Sequence, residues 1–94
     1  MTYQIPLRVA HVVPDGEPDP PESVFVMDLP DGVPIALHGS AACIWLLAAE
    51  GEEDVAGAIA DLAGMARADV VINVERFLAE LVRRGLLEVG PPPM

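Results

Sequence analysis

"LHGSAACIWLL", residues 37–47, decides how the chain is laid out. Its second half is apolar at Ile44, Trp45, Leu46 and Leu47, whereas His38, Gly39 and Ser40 are not expected to sit comfortably inside a regular element. A strand that ends at Leu37 and a helix that begins at once need such a corner: a polar ring, a residue free in φ and a hydroxyl at the N-cap position. Ser40 is therefore expected to cap a helix over Ala41–Glu50, with Ile44, Trp45 and Leu47 available for packing and Gly51 as its stop. The charge-free run Val33–Ala49 that contains this corner includes Pro34 and Gly39 and falls short of the length a membrane-spanning helix needs.

Working outward, "VPIAL" (33–37) is the strand that runs into the corner. "PDG" (30–32) precedes it, Pro30 fixing φ and Gly32 allowing a positive one, so "VFVMDL" (24–29) pairs with it as a hairpin. "PLRVAHVV" (6–13) alternates at Leu7, Val9, His11 and Val13 and reads as the first strand. Between these lies "PDGEPDPPES" (14–23), a loop with four Pro and four acids. After the corner the period lengthens. Glu52, Glu53 and Asp54 put negative charge at the start of a second helix, with Val55, Ile59 and Leu62 as its apolar side. A third helix is expected from near Asp69 to Arg84, with Val70, Val74, Phe77, Leu78 and Leu81 on one stripe. Gly85 stops it, "LLEV" (86–89) forms a short closing strand, and residues 90–94 read as a loose tail. The expected class is α+β, a three-stranded antiparallel sheet followed by three helices in one domain over residues 1–94.

Composition narrows the function. The 94 residues are 52% hydrophobic, enough for one small core. Five Arg and no Lys stand against 15 acids, a net charge of −10. Such a charge repels nucleic-acid phosphates and anionic membranes, and its natural complement is a basic partner. Cys43 is the sole cysteine, so no intrachain disulfide forms, and with nothing basic beside it in sequence it reads as a small buried residue. Trp45 reads as core. No Cys/His spacing suits a metal, and the acids at 50–54 lack the ligand alternation of a calcium loop. Hydroxyls are few, and His38-Gly39-Ser40 has no acid placed to orient the ring. No catalytic residue, metal or cofactor is expected. The N-terminus has no signal-peptide pattern, which points to the cytoplasm.

The succession from about Val24 to Val89 resembles the PqqD-like family, also called RiPP recognition elements. The resemblance is carried by Leu37 at the strand end, Ala41-Ala42 and Ile44-Trp45 on the first helix, and Phe77-Leu78, Leu81 and Gly85-Leu86-Leu87 at the end. Two departures stand out: His38 occupies a position where the family often has Asn, and the 14–23 loop is longer and richer in Pro. The resemblance implies a winged helix-turn-helix-like fold and a non-catalytic role. Family members bind the leader segment of a ribosomally made precursor peptide, which adds a strand beside the third strand in a groove bordered by the third helix. They then hand the precursor to a leader peptidase or another modifying enzyme. Free-standing members resemble either the leader-binding protein of lasso-peptide biosynthesis or the chaperone of pyrroloquinoline quinone synthesis, and the aromatic in Ile44-Trp45 favours the first.

The residues themselves point to the same surface. A third strand at the sheet edge exposes a row of backbone groups that is either protected or used. With Pro34's missing N–H turned to one side, Val33, Ile35 and Leu37 are expected to present complete N–H and C=O pairs to a docking peptide on the other. The expected peptide-binding residues are Val33, Pro34, Ile35, Ala36 and Leu37 on the strand, and Asp69, Asn73, Arg76, Phe77 and Glu80 along the third helix. The plain alternatives are a Pro34 that only guards the edge and a helix flank that is only solvated. A rival of another class is a winged-helix DNA-binding protein with Arg76, Arg83 and Arg84 on phosphates. Residues 68–94 hold three Arg against four acids, so that surface is not basic. The expected partner is a basic leader peptide, with neither nucleic acid nor membrane bound.

Overall fold

A computed structural model describes residues 2–16, 21–29 and 32–90. The middle of the Pro-rich connection, Pro30-Asp31 of the hairpin turn and the tail at 91–94 lie outside the described residues. The elements run β1 (Tyr3–Gln4), β2 (Val9–Val12), β3 (Ser23–Asp28), β4 (Ile35–His38), α1 (Ser40–Ala49), α2 (Val55–Ala63), α3 (Arg67–Arg83) and β5 (Glu88–Val89). β2, β3 and β4 form an antiparallel sheet in that order, and β1 pairs with β5 in a second, two-stranded one. The α+β class and the three helices agree with the sequence reading. The N-terminal strand β1 is an addition to it, and the closing strand has its partner there.

Alternation sorts the sheet into two faces. Val9, Val24, Val26 and Leu37 are buried on the inner one, where they meet Ile44, Trp45 and Ala48 of α1. Trp45 is wholly buried, and the ring of His11 stands edge-on to it with centroids 5.8 Å apart. Leu7, expected on the same alternation, lies instead on an exposed turn ahead of β2. Cys43, expected buried, is half-buried against the core.

Helix boundaries follow local chemistry. Gly39, with φ +60° and ψ −129°, holds the cap position of α1, and Ser40 is the first helical residue without a side-chain cap bond. This corrects the expected Ser40 cap: the corner turns through a backbone conformation that L side chains rarely adopt, so the glycine sets it. Asp54 does cap α2, its carboxylate accepting the Gly57 N–H at 3.1 Å. α2 buries Val55, Ala56, Ile59 and Ala60, whereas Leu62 is exposed, because the small Ala56 and Ala60 turn this face into the core and rotate Leu62 out of it. α3 begins at Arg67, two residues before the expected start, and carries Asp69 in its first turn. Val70, Val74, Leu78 and Leu81 form its buried stripe, with Phe77 half-buried beside them. After α3, Gly85 at φ +77° reverses the chain, and the Leu86 N–H bonds back to the Leu81 carbonyl at 3.0 Å.

Candidate functional site: an open strand edge and a helix-lined groove

β4 has a neighbour on one side only, β3, so its other side is an open edge among the described residues. Which backbone groups face that edge follows from the register. Val24 lies opposite Leu37 and Phe25 opposite Ala36, and one step further the Gly39 N–H donates to the Glu22 carbonyl at 2.8 Å. In an antiparallel ladder, directly opposed residues alternate between pairs that exchange hydrogen bonds and pairs that do not. Glu22/Gly39 therefore fixes Val24/Leu37 and Val26/Ile35 as bonded pairs. The amides of Ile35 and Leu37 are spent on β3, and the open edge displays the N–H and C=O of Ala36 and His38. Pro34 falls in the same phase and adds a carbonyl without an N–H.

This reverses the expected phase, in which Val33, Ile35 and Leu37 faced outward. The physical reason is that side-chain alternation fixes which face a residue lies on, whereas the hydrogen-bonding phase depends on the hairpin register. Val33 and Pro34 themselves precede β4 and are exposed. The side chain of Leu37 belongs to the core, Ile35 packs at its margin, and Ala36 and His38 point to the outer face. There His38 Nδ1 and the Ser23 hydroxyl are within hydrogen-bond distance, 3.0 Å, across the β3–β4 pair.

Beyond the β4–α1 corner, from Ser40 onward, a depression of about 430 Å³ lies among the helices. Ser40, Ala41 and Ile44 of α1 form one wall. Val70, Val74 and Phe77 of α3 form the other, with Asp69 and Asn73 as its polar members. Ile59 and Ala63 of α2 and Met65 after it complete the lining, a contribution that the sequence reading missed because it arises only when α2 packs against α3. Asp69, Asn73 and Phe77, spaced by four, thus share the groove, as a helix face requires. Arg76 and Glu80 are absent from its lining. Arg76 is exposed, and Glu80 is half-buried and ion-paired with Arg83 and, at 3.0 Å, with Arg84.

The electrostatic anchor of the helix pair lies elsewhere. The Arg67 Nε donates to both carboxylate oxygens of Asp54, at 3.0 and 3.1 Å, and ties the start of α3 to the start of α2. The Arg67 hydrogen bonds, then the Gly57 N–H, hold the Asp54 carboxyl below the usual carboxylate range. Burial first, and Glu75 second, push the Tyr3 hydroxyl above its ordinary value.

A three-stranded sheet with one open edge, leading into a groove walled by helices, defines an α+β scaffold of winged helix-turn-helix type. The family described as coenzyme PQQ synthesis protein D (PqqD) matches residues 23–87, and the chain belongs to it. Among solved structures it is similar to TbiB1, determined in complex with the TbiA(beta) leader peptide, at 26% identity and a TM-score of 0.76 over 94% of this chain and 98% of TbiB1. None of the curated proteins matches. No helix among the described residues is long and apolar enough to cross a membrane.

Proposed function

We propose that this chain binds the leader segment of a ribosomally synthesised precursor peptide and delivers it to a leader peptidase or other modifying enzyme without doing chemistry itself. The observations that carry the reading are the open β4 edge, with Ala36 and His38 as its donors, and the α1–α3 groove, whose lining begins at Ser40, two residues after β4. Likeness to a protein solved with a leader peptide supports it. An extended peptide docks there by adding an antiparallel strand, main-chain bonds giving affinity and side-chain pockets giving specificity. Residues of the peptide opposite Ala36 and His38 share their outer face. Those opposite Ile35 and Leu37 turn inward toward the groove, where Ile44, Val70 and Phe77 take apolar anchors and Asp69 and Asn73 meet polar ones. The proposed unit is the whole chain acting as one peptide-binding domain in the cytoplasm, of the lasso-peptide type.

Of the three Arg that the DNA-binding alternative uses, Arg83 and Arg84 are both paired to Glu80, which leaves it the exposed Arg76 on a chain of net charge −10. Isothermal titration with the synthetic leader of a precursor encoded beside this gene tests the proposal. Saturable one-to-one binding to the leader, and none to the core segment alone, is expected. Equal binding of leader and core, or of neither, would contradict it.

A further inference from the structure

A second depression, of about 570 Å³, lies at the opposite end of α3 from the groove. The turn before β2 contributes Leu7 and Arg8, the end of α3 contributes Val82 and Gly85, and β5 contributes Glu88 and Val89. Leu7 is fully exposed and Val89 is half exposed, so both put apolar surface beside the hollow. The hollow is roomy beside Gly85: the nearest neighbour of the place where a Cβ would stand is the Arg8 guanidinium, 3.8 Å away.

Charge singles out this end. Arg8 pairs with Asp28 at 3.3 Å, and Arg83 and Arg84, which precede Gly85, pair with Glu80. With Glu88, the region holds three of the five Arg and three of the 15 acids, leaving two Arg and twelve acids, and thus the entire net charge of −10, to the rest of the chain. Two copies of so acidic a molecule repel one another over most approaches and least through this neutral patch. A two-fold contact also requires a patch complementary to itself. This one offers a knob in Leu7, a hollow between Val82, Gly85 and Val89, a cation in Arg8 and an anion in Glu88. We propose that the Leu7–Val89 surface is a self-association site, in which Leu7 of each copy enters the hollow of the other and Arg8 of each meets Glu88 of the other. The β4 edge and its groove stay free in such a pair.

Sedimentation velocity on the full chain, over a concentration series at low and high ionic strength, tests this. A monomer–dimer equilibrium is expected that tightens as salt screens the acidic remainder. Leu7→Asp should raise its dissociation constant by about tenfold or more. Arg8→Glu and Glu88→Arg should each weaken it and the double swap restore it, with thermal unfolding confirming that every variant folds. A dimer indifferent to Leu7→Asp, or a failure of the double swap to restore association between folded variants, would overturn the proposal. A chain monomeric at every concentration would overturn it too and leave the patch to a different partner.

Discussion

Gly39 and Ser40 sit side by side at the corner between β4 and α1, yet they answer to different constraints. Gly39 has φ +60° and ψ −129°, a combination that a side chain makes costly, so Gly39→Ala should lower stability by about 1–3 kcal/mol. Ser40 makes no cap bond, so Ser40→Ala should stay within about 0.5 kcal/mol of the parent. Urea midpoints of the two variants check both. Three residues upstream of Gly39, Ala36 has its N–H on the open edge and is exposed, so it contributes no donor to the β3–β4 ladder. Ala36→Pro should therefore leave the fold nearly intact while weakening leader binding about tenfold or more, since a donor is lost and a ring is placed against the incoming strand. Titration calorimetry beside thermal unfolding separates the two effects. His38 and Cys43 have no role in catalysis on this account, and His38→Ala and Cys43→Ala should leave processing of the bound precursor largely unchanged.

At the scale of elements, α2 and α3 are joined by one carboxylate that does two jobs. Asp54 caps α2 through the Gly57 N–H and holds Arg67 at the start of α3. Because these contacts depress its carboxyl in the folded state, the stability they give is fully present above the unfolded carboxylate range and is lost as pH falls through the lower folded value. Asp54→Asn should thus flatten the acid limb of the stability–pH curve, read from urea midpoints below pH 5 or so. The groove wall tests separately: Phe77→Ala should weaken leader binding and, being half-buried, cost less than about 3 kcal/mol of stability, whereas Asn73→Ala, on the exposed rim, should affect binding alone.

Element identity was legible wherever period and punctuation agreed. The corner at 37–41, the hairpin around 30–32 and the Val70–Leu81 stripe each needed only neighbours in sequence. β1 was not legible, because two residues carry no period and its partner β5 lies at the far end of the chain. The phase of β4 was hidden for a related reason: alternation places Leu37 inward, yet only the register against Val24 says which amides remain free. Asp69, Asn73 and Phe77 could be put on one helix face from spacing, whereas the side of the groove made by Ile59, Ala63 and Met65 exists only through packing of α2.

For the whole molecule, charge and edge act together. With a net charge of −10, a basic leader should be drawn in over a range that salt shortens, so its affinity should fall as ionic strength rises. Unchanged affinity would remove electrostatics from the account. Self-association through the Leu7 patch should respond to salt in the opposite direction, which keeps the two surfaces distinguishable in one set of buffers. Strand addition to β4 assigns a protection pattern to individual amides. Residue-resolved hydrogen exchange by NMR, without and with the leader, reads it directly. The amides of Ile35 and Leu37 should be protected already in the free protein, and those of Ala36 and His38 should gain protection only when the leader is bound. Ala36 and His38 amides that exchange at the same rate with saturating leader as without it would contradict strand addition at this edge.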